Sequence, residues 1–463
     1  MIEIYRWRQL DRWDAFTIPH LHVAPHLPQV RIGDLLTPRQ ERVSRADWRF
    51  DQLQPITIHF GGAISRRKIA GGTDYSLPLF WARPGDVVLS KIDLKNGAVG
   101  VLPEGWGNVV VTSHFKVYTP DICRLDARFF RLLLQTKDFK NWLWANRSGA
   151  DGRTEVKLDV FEMLEIPLPP IREQTALCDA YSTALDHAAR LEQEAQAIED
   201  AGLRAFEAAL GVAAPPPLPE RPVFVARFRD IEQWSHEGTL RASLGNREVS
   251  TATYPIIQLR EVASISYGLQ KSPANRPALH ARPYLRVANV QRGHLILDEI
   301  KTINVPDENL LALRLEAGDI LFVEGNGSRK ELGRVALWHG QLADCVHQNH
   351  IIKARPDQCR LLPDFAMAWF NIAAGRDHFF QSGKTTSGLG TINSSVIRSA
   401  PIPLPPISDQ RRLMEVLANA SQSAATKLTE AQTLRASAWT AFESALFTTN
   451  DSPESHAGGS TRP

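Results

Sequence analysis

Apolar positions along this chain follow two rhythms. Short apolar runs with strand character, DVVLSKI from Asp86, GAVGVL from Gly97 and NVVVTSHFKVY from Asn108, give way to RFFRLLLQTKDFKNWLW from Arg128, whose spacing predicts a helix ending at a Ser-Gly break at Ser148. The order then recurs. The later strands are DILFVEG from Asp319, GRVALW from Gly333 and CVHQNHIIKA from Cys345, followed by a helical DFAMAWFNIAA from Asp364 and a break at Ser382 and Gly383.

The recurrence is sharpest in IPLPPIREQ, beginning at Ile166, and IPLPPISDQ, beginning at Ile402. The match runs ungapped to Leu210 and Leu446 at about 40% identity, a period far longer than the ~20 to 50 residues of solenoid units. A whole domain plus its terminal helix is therefore repeated. Arg6, Trp7, Arg8, Leu10 and Trp13 align with Arg227, Phe228, Arg229, Ile231 and Trp234, an offset of about 221 that grows to about 236 at the proline motif, so the later half carries extra loop residues. Pro169 and Pro170 stop what precedes them, and a proline-free helix of ~40 residues follows each motif, ~60 Å long at 1.5 Å per residue.

Within these helices apolar residues alternate four and three apart, the spacing of a coiled-coil seam. The first seam comprises Leu177, Tyr181, Ala184, Ala188, Leu191, Ala195, Ile198, Gly202, Ala205 and Ala209. Its counterpart comprises Leu413, Leu417, Ala420, Ala424, Ala431, Leu434, Ala438, Ala441 and Ala445, interrupted by Lys427. Small seam residues permit close approach, so the helices are expected to pair with each other, against the alternative that each packs on its own domain. The resulting fold class is α+β, with two mixed α/β domains, two long antiparallel helices in a coiled coil and internal pseudo-twofold symmetry. The divisions are residues 1–165, 166–210, a Pro-rich linker 211–222, 223–401, 402–447 and a Ser/Gly/Pro-rich, disordered tail 448–463.

With 463 residues, 43% of them hydrophobic, the chain can build several cores; it has no run of about 18 apolar residues and no signal-peptide core, so the expectation is a cytoplasmic protein without a membrane. Four cysteines without CxxC pairing are expected to be buried, reduced thiols. Net charge is +2, but residues 171–210 carry roughly −5, which leaves about +7 elsewhere. That excess gathers in Arg66, Arg67 and Lys68 and in Arg329 and Lys330, short clusters suited either to a solvated face or to tracking phosphates.

Catalytic motifs fail one by one. SGKTT from Ser382 lacks the glycine a phosphate loop needs, since His378 stands there. Glu155 and Lys157 have nuclease-like spacing, with Asp121 or Asp151 as a third acid, but such spacing is common by chance. His347 with His350, and His20 with His22, lack the further ligands of a metal site, and neither a dinucleotide or methyl-donor glycine motif nor an amino-methyltransferase [DN]PP[YF] is present.

Together, the doubled IPLPPI…Q helix, PYLRVANVQRG from Pro283, GDILFVEGNGSRKELGRVALW from Gly318, QNHIIKARPD from Gln348 and TTSGLGTINSSVI from Thr385 resemble the DNA specificity subunit of type I restriction-modification systems. KIDLKNGAVGVLPEG from Lys91 and VVVTSHFKVYTPD from Val109 are similar to target-recognition domains of the same family. The resemblance implies a non-catalytic subunit with two target-recognition domains separated by the helices, reading a bipartite, asymmetric site in double-stranded DNA. It also implies docking of two copies of an adenine methyltransferase and of restriction/translocase subunits. No cofactor is expected in this chain; S-adenosylmethionine, ATP and magnesium belong to the partners. The rival reading is a stand-alone restriction or modification enzyme.

Base edges are read by Arg, Lys, Asn and Gln, while phosphate contacts fix the register. Candidates are Arg66, Arg67, Lys68, Lys91, Lys95 and Asn96 in the first half, and Lys271, Arg286, Asn289, Asn326, Arg329, Lys330, Gln348, Asn349 and Lys384 in the second. Asn289, Asn326 and Asn349 would alternatively cap turns. If the helices act as a ruler, inserting about one heptad into each leaves both half-sites unchanged and alters the gap between them, as read by mapping methylated adenines.

Overall fold

The structure is a computed structural model; it describes residues 21–44, 46–68, 77–148, 155–212, 225, 240, 252–272, 275–277, 279–326, 331–382, 384–386 and 389–448. The segments aligned around Arg6 and Arg227, most of the linker, Asp151 and the tail beyond Thr448 lie outside them. Two compact units result, Met1–Leu191 with Thr429–Pro463, and Glu192–Leu428.

The first unit contains β1 (Gln29–Arg31), β2 (Leu36–Arg39), β3 (Gln54–Ile58), β4 (Ile64–Arg66), β5 (Leu79–Trp81), β6 (Val87–Ser90), β7 (Val99–Val101), β8 (Val109–Thr112) and β9 (Phe115–Pro120). Helices α1 (Ala127–Leu133) and α2 (Lys137–Ala145), a short hairpin of β10 (Arg147–Ser148) and β11 (Glu155–Val156), α3 (Leu158–Met163), β12 (Glu165–Pro167) and the start of α4 (Ile171–Ala209) follow. Its two four-stranded sheets have the orders β2-β9-β6-β7 and β4-β3-β8-β5.

The second unit repeats this plan with β13 (Ile256–Gln258), β14 (Ala263–Tyr267), β15 (Ala281–Leu285), β16 (Lys301–Asn304), α5 (Asp307–Leu313), β17 (Ile320–Val323), β18 (Gly325–Asn326), β19 (Val335–Leu337), β20 (Val346–His347) and β21 (Ile351–Pro356). Then come α6 (Pro363–Asn371), α7 (Ala373–Ser382), β22 (Lys384–Thr386), β23 (Leu389–Thr391), α8 (Ser394–Arg398), β24 (Pro401–Pro403) and α9 (Ile407–Leu446). Sheet β14-β21-β17-β19 matches β2-β9-β6-β7 strand for strand, and both units pair an early strand antiparallel with the strand before the long helix, β1 with β12 and β13 with β24.

The continuous apolar runs at β6 and β17 have a simple cause, since side chains alternate across a strand and these strands are covered on both faces. Val87 and Leu89 enter the core beneath α1 and α2, whereas Val88 packs between the sheets with Val111 and Val117. Ile320 and Phe322, against Leu321 and Val323, divide the same way. A buried aspartate begins each strand. Asp86 is held by Arg39 Nε at 2.7 Å and the Thr119 hydroxyl at 3.0 Å; Asp319 is held by Arg355 Nε at 2.7 Å. The carboxylate keeps its place while its arginine moves from β2 to β21.

Two readings of the sequence are corrected. NVVVTSHFKVY is two strands in different sheets, because Ser113 and His114 turn the chain between β8 and β9; CVHQNHIIKA is likewise split into β20 and β21. Each helical stretch before the break is also two helices, α1 with α2 and α6 with α7.

The long helices pair antiparallel. Tyr181 meets Trp439 edge-on with ring centroids 5.6 Å apart, Ala188 and Leu191 pack with Ala431 and Leu434, Lys427 Nζ lies 2.9 Å from Glu194 Oε2, and a Cβ on Gly202 would stand 2.6 Å from Ala420 Cβ. Ala188, Leu191, Ala195, Leu413, Ala424 and Ala431 are buried, and Leu177, Tyr181, Ala184, Ile198, Leu417, Ala420, Leu434 and Ala438 half-buried, as the seam requires. The seam departs from expectation at its ends. Ala205, Ala209 and Ala441 are exposed and Ala445 half-buried, while Phe206, Leu210, Phe442 and Leu446 are buried instead. A straight helix drifts ~20° per heptad from a 3.5-residue repeat, and the drift brings the larger apolar side chains inward. Phe206 packs on Phe365 in the second unit, and Phe442 on Phe129 in the first. Each helix therefore follows one half in sequence and finishes in the core of the other.

A glutamine explains the start of each helix. Gln174 is fully buried; its Nε2 donates to the Pro169 and Arg124 carbonyls at 2.7 and 2.9 Å, and its Oε1 accepts from the Asp126 amide at 2.9 Å. Gln410 repeats the pattern with the carbonyls of Pro405 and Arg360 and the amide of Leu362. Removing either side-chain amide strands three backbone groups, one in a buried bond and two in part-buried ones. Gln410→Leu is expected to destabilise the chain by about 3 kcal/mol in urea unfolding, at roughly 1 kcal/mol or more per lost partner.

Candidate nucleic-acid interface

In the first unit, β4 ends on Arg66, Arg67 and Lys68, all exposed. Arg66 lies over the Trp106 ring, 4.8 Å from its centroid, a cation–π contact that holds the guanidinium in place. Arg67 lines a cavity of about 220 Å³ together with Thr57, Ser90, Asp93, Thr112 and Phe115. Because Asp93 belongs to the KIDLKNG turn, the cavity joins the two basic clusters that the sequence placed far apart. Lys91 and Lys95 are half-buried along that turn; Lys95 belongs to a short 3-10 helix closed by Gly97 at φ 83°. The Asn96 amide donates to Asp93 Oδ1 at 3.3 Å, so it braces the turn.

In the second unit the Gln348 backbone N–H donates to the Leu285 carbonyl at 2.9 Å and the Asn349 backbone N–H to the Leu269 carbonyl at 3.0 Å. This loop thus gathers three candidate segments, with Lys271 exposed two residues beyond Leu269. Gln348 and Asn349 are half-buried. Arg286 is paired with Glu299, whose carbonyl lies 3.2 Å from it and whose carboxylate 3.4 Å. Asn289 is a correction: it is 3% exposed, accepts from the Arg286 amide at 2.9 Å and donates to the Ile296 and Glu299 carbonyls. It is spent on a turn, as asparagine often is. Asn326 and Lys384 are placed by backbone pairing, opposite Gly390 and Thr391 of β23. Arg329 and Lys330 lie outside the described residues.

Trp106, Ser90, Asp93 and Thr112 escaped the sequence reading. Single polar residues at strand ends carry no pattern, although the tryptophan in the glycine-flanked GWG was a usable signal. Arg292 and Arg334 were also passed over inside the quoted segments PYLRVANVQRG and GRVALW.

The cysteines need correction too. All four are free, but Cys123 and Cys359 are exposed, because each donates its backbone amide to an aspartate two residues earlier, Asp121 or Asp357, in a surface turn. Burial pushes the Cys178 and Cys345 thiols up to about 12. Among the described residues no three His, Cys, Asp or Glu side chains are grouped to hold a metal, and no helix is long and apolar enough to cross a membrane.

His347, beside the candidate Gln348, is fully buried, and its Nδ1–H donates to the Ile351 carbonyl at 2.9 Å, leaving Nε2 without a partner. Burial, reinforced by the Lys353 charge, lowers its pKa to about 4.

Two similar α+β domains, each leading into a long helix, define a duplicated α+β protein with one set of polar loops per domain. Comparison with known proteins is more specific. The chain is 27% identical to the type I restriction enzyme EcoKI specificity subunit of Escherichia coli (strain K12) over 284 residues, 60% of this chain and 54% of that one. It is 24% identical to the StySPI specificity subunit of Salmonella potsdam over 282 residues, again 60% and 54%. The chain thus spans about half the length of the curated relatives it matches. A chain solved in work on complex assembly and conformational transition of the type I R-M system superposes with a TM-score of 0.59 at 16% identity, covering 91% of this chain and 98% of that one, and shares the fold. No protein-family profile matches. The chain is a relative of the type I restriction-modification specificity subunits.

The His347 geometry makes a pH prediction. Its folded pKa lies below the unfolded value of 6.5, so its contribution is complete above pH 6.5 and is lost as pH falls toward about 4. Wild-type unfolding free energy should lose about 3 kcal/mol more over this interval than His347→Gln, at 1.36 kcal/mol per unit, as measured by urea titrations across the pH range.

Proposed function

We propose that this chain is the non-catalytic DNA-specificity subunit of a type I restriction-modification complex, reading a split, asymmetric duplex site with one half-site per domain. It docks two copies of an adenine methyltransferase and the restriction/translocase subunits, and these partners bring S-adenosylmethionine, ATP and magnesium. The observation that carries the reading is one frame built twice with different polar loops. The first unit offers the Arg66–Trp106 pair and an adjoining cavity, the second a loop of Gln348 and Asn349 tied to two neighbouring segments. Kinship with specificity subunits supports it.

Two unlike readers on a common frame suit an asymmetric target. Arg66 is exposed yet held by its ring, so it meets DNA with less conformational entropy to lose than a free arginine. The exposed Arg67 and Lys68 would follow phosphates, giving salt-dependent binding.

Mapping methylated adenines in cells with and without the chain and its methyltransferase should reveal a bipartite motif that depends on the chain. Absence of any dependent motif sinks the proposal, and methylation or cleavage by the purified chain alone would favour the stand-alone enzyme. Arg66→Ala is expected to weaken methylation at one half-site by about tenfold, corresponding to ~1.4 kcal/mol, while leaving the other half-site unchanged.

A further inference from the structure

Three arginines of the second unit come together from separate segments. Arg292 lies in the loop after β15, Arg334 immediately precedes β19 and Arg376 is the fourth residue of α7. Arg292 NH2 is 3.5 Å from Glu331 Oε2 and its NH1 3.4 Å from Asn371 Oδ1, both long contacts. The Glu331 carboxylate pairs with Arg292 and acts on the charges of Arg334 and Arg376.

Two of the three guanidinium groups keep a buried donor without an acceptor. Arg334 is only 8% exposed; its NH2 donates to the Val287 carbonyl at 2.8 Å, and its Nε has no partner. Arg376 Nε is also buried without a partner. Desolvation pushes both guanidinium pKa values down, and the Arg292 charge pushes in the same direction. A buried guanidinium with unused donors is destabilising unless an anion or acceptor completes it. The first unit shows that the fold does not require this. There, Ala98 stands before β7 where Arg334 stands before β19, and the preceding glycines, Gly97 and Gly333, share positive φ.

We propose that Arg292, Arg334 and Arg376 form a binding site for a phosphate-type oxyanion in the second unit. Guanidinium forks match the oxygens of a tetrahedral oxyanion, and such an ion would supply acceptors for the unpaired Arg334 and Arg376 donors and offset the repulsion that the Arg292 charge exerts on both. A phosphodiester of the bound DNA and free phosphate share this chemistry. The first source rests on the specificity-subunit reading; the second does not.

The test melts the full chain in millimolar inorganic phosphate and in chloride at equal ionic strength, alongside Arg334→Gln and Arg376→Gln. Phosphate should raise the wild-type Tm and leave both variants unmoved, and without phosphate Arg376→Gln should melt at or above wild type because a repelling charge is gone. A parallel titration of duplex DNA distinguishes the source. If the backbone is the occupant, the slope of log affinity against log salt falls by about one in Arg376→Gln. Equal phosphate responses in all three proteins would mark an ion bound elsewhere and overturn the site, as would no phosphate response together with an unchanged or unmeasurable DNA slope. A phosphate response lost in the variants, in a chain that binds no DNA, would keep the site and remove the specificity reading.

Discussion

Everything in this fold is hung from a buried glutamine amide. Gln174 and Gln410 each connect three things that must stay together: the proline turn that begins a long helix, the loop that ends a sheet and the entrance to the helix that follows that sheet. A primary amide is suited to this because it offers two donors and an acceptor in one plane, and a buried site rewards complete satisfaction. A carboxylate would present no donor to two carbonyls, and an aliphatic side chain would leave them bare. The long helix is thereby fixed to its domain at its first turn, so the path of the remaining residues follows from the angle set there.

Around that fixed point the two halves vary in a particular way. The buried aspartate before the central strand is unchanged, yet Arg39 neutralises Asp86 from β2 and Arg355 neutralises Asp319 from β21. Charge balance is kept while the positions of the cations change, and the sheet edges are free to carry different chemistry. The glycine before β7 and β19 is also kept, while the next residue is alanine in one half and arginine in the other. The frame is thus kept in both halves while the polar side chains around it are exchanged.

Much of the frame was legible in the letters. The repeat, the helix starts and the seam from Tyr181 to Ile198 and from Leu413 to Ala438 follow from spacing alone. Spacing failed where a short polar pair turned the chain, as at Ser113 and His114, and where helix drift carried Phe206 and Phe442 inward past the nearer alanines. The glutamines were visible as repeated letters, but their role depends on carbonyls some 50 positions earlier. The exposure of Arg66 and Arg67 could be read from local charge, whereas Asn289 could not be separated from a turn cap without its burial. Clusters such as Arg292, Arg334 and Arg376 are assembled by folding from distant segments and leave no local pattern.

Closure of the chain has its own consequence. The Ala24 amide donates to the Leu446 carbonyl at 2.9 Å and the Thr448 amide to the His22 carbonyl at 2.8 Å, while in the second unit Thr253 donates to Leu210 at 3.0 Å. The junction leaving α9 is thus bonded to the segment that opens the first domain in the way the junction leaving α4 is bonded to the segment that opens the second. Each long helix is thus tied at its far end to a segment of the unit in whose core it finishes, so hydrogen bonds to the fold hold it at both ends.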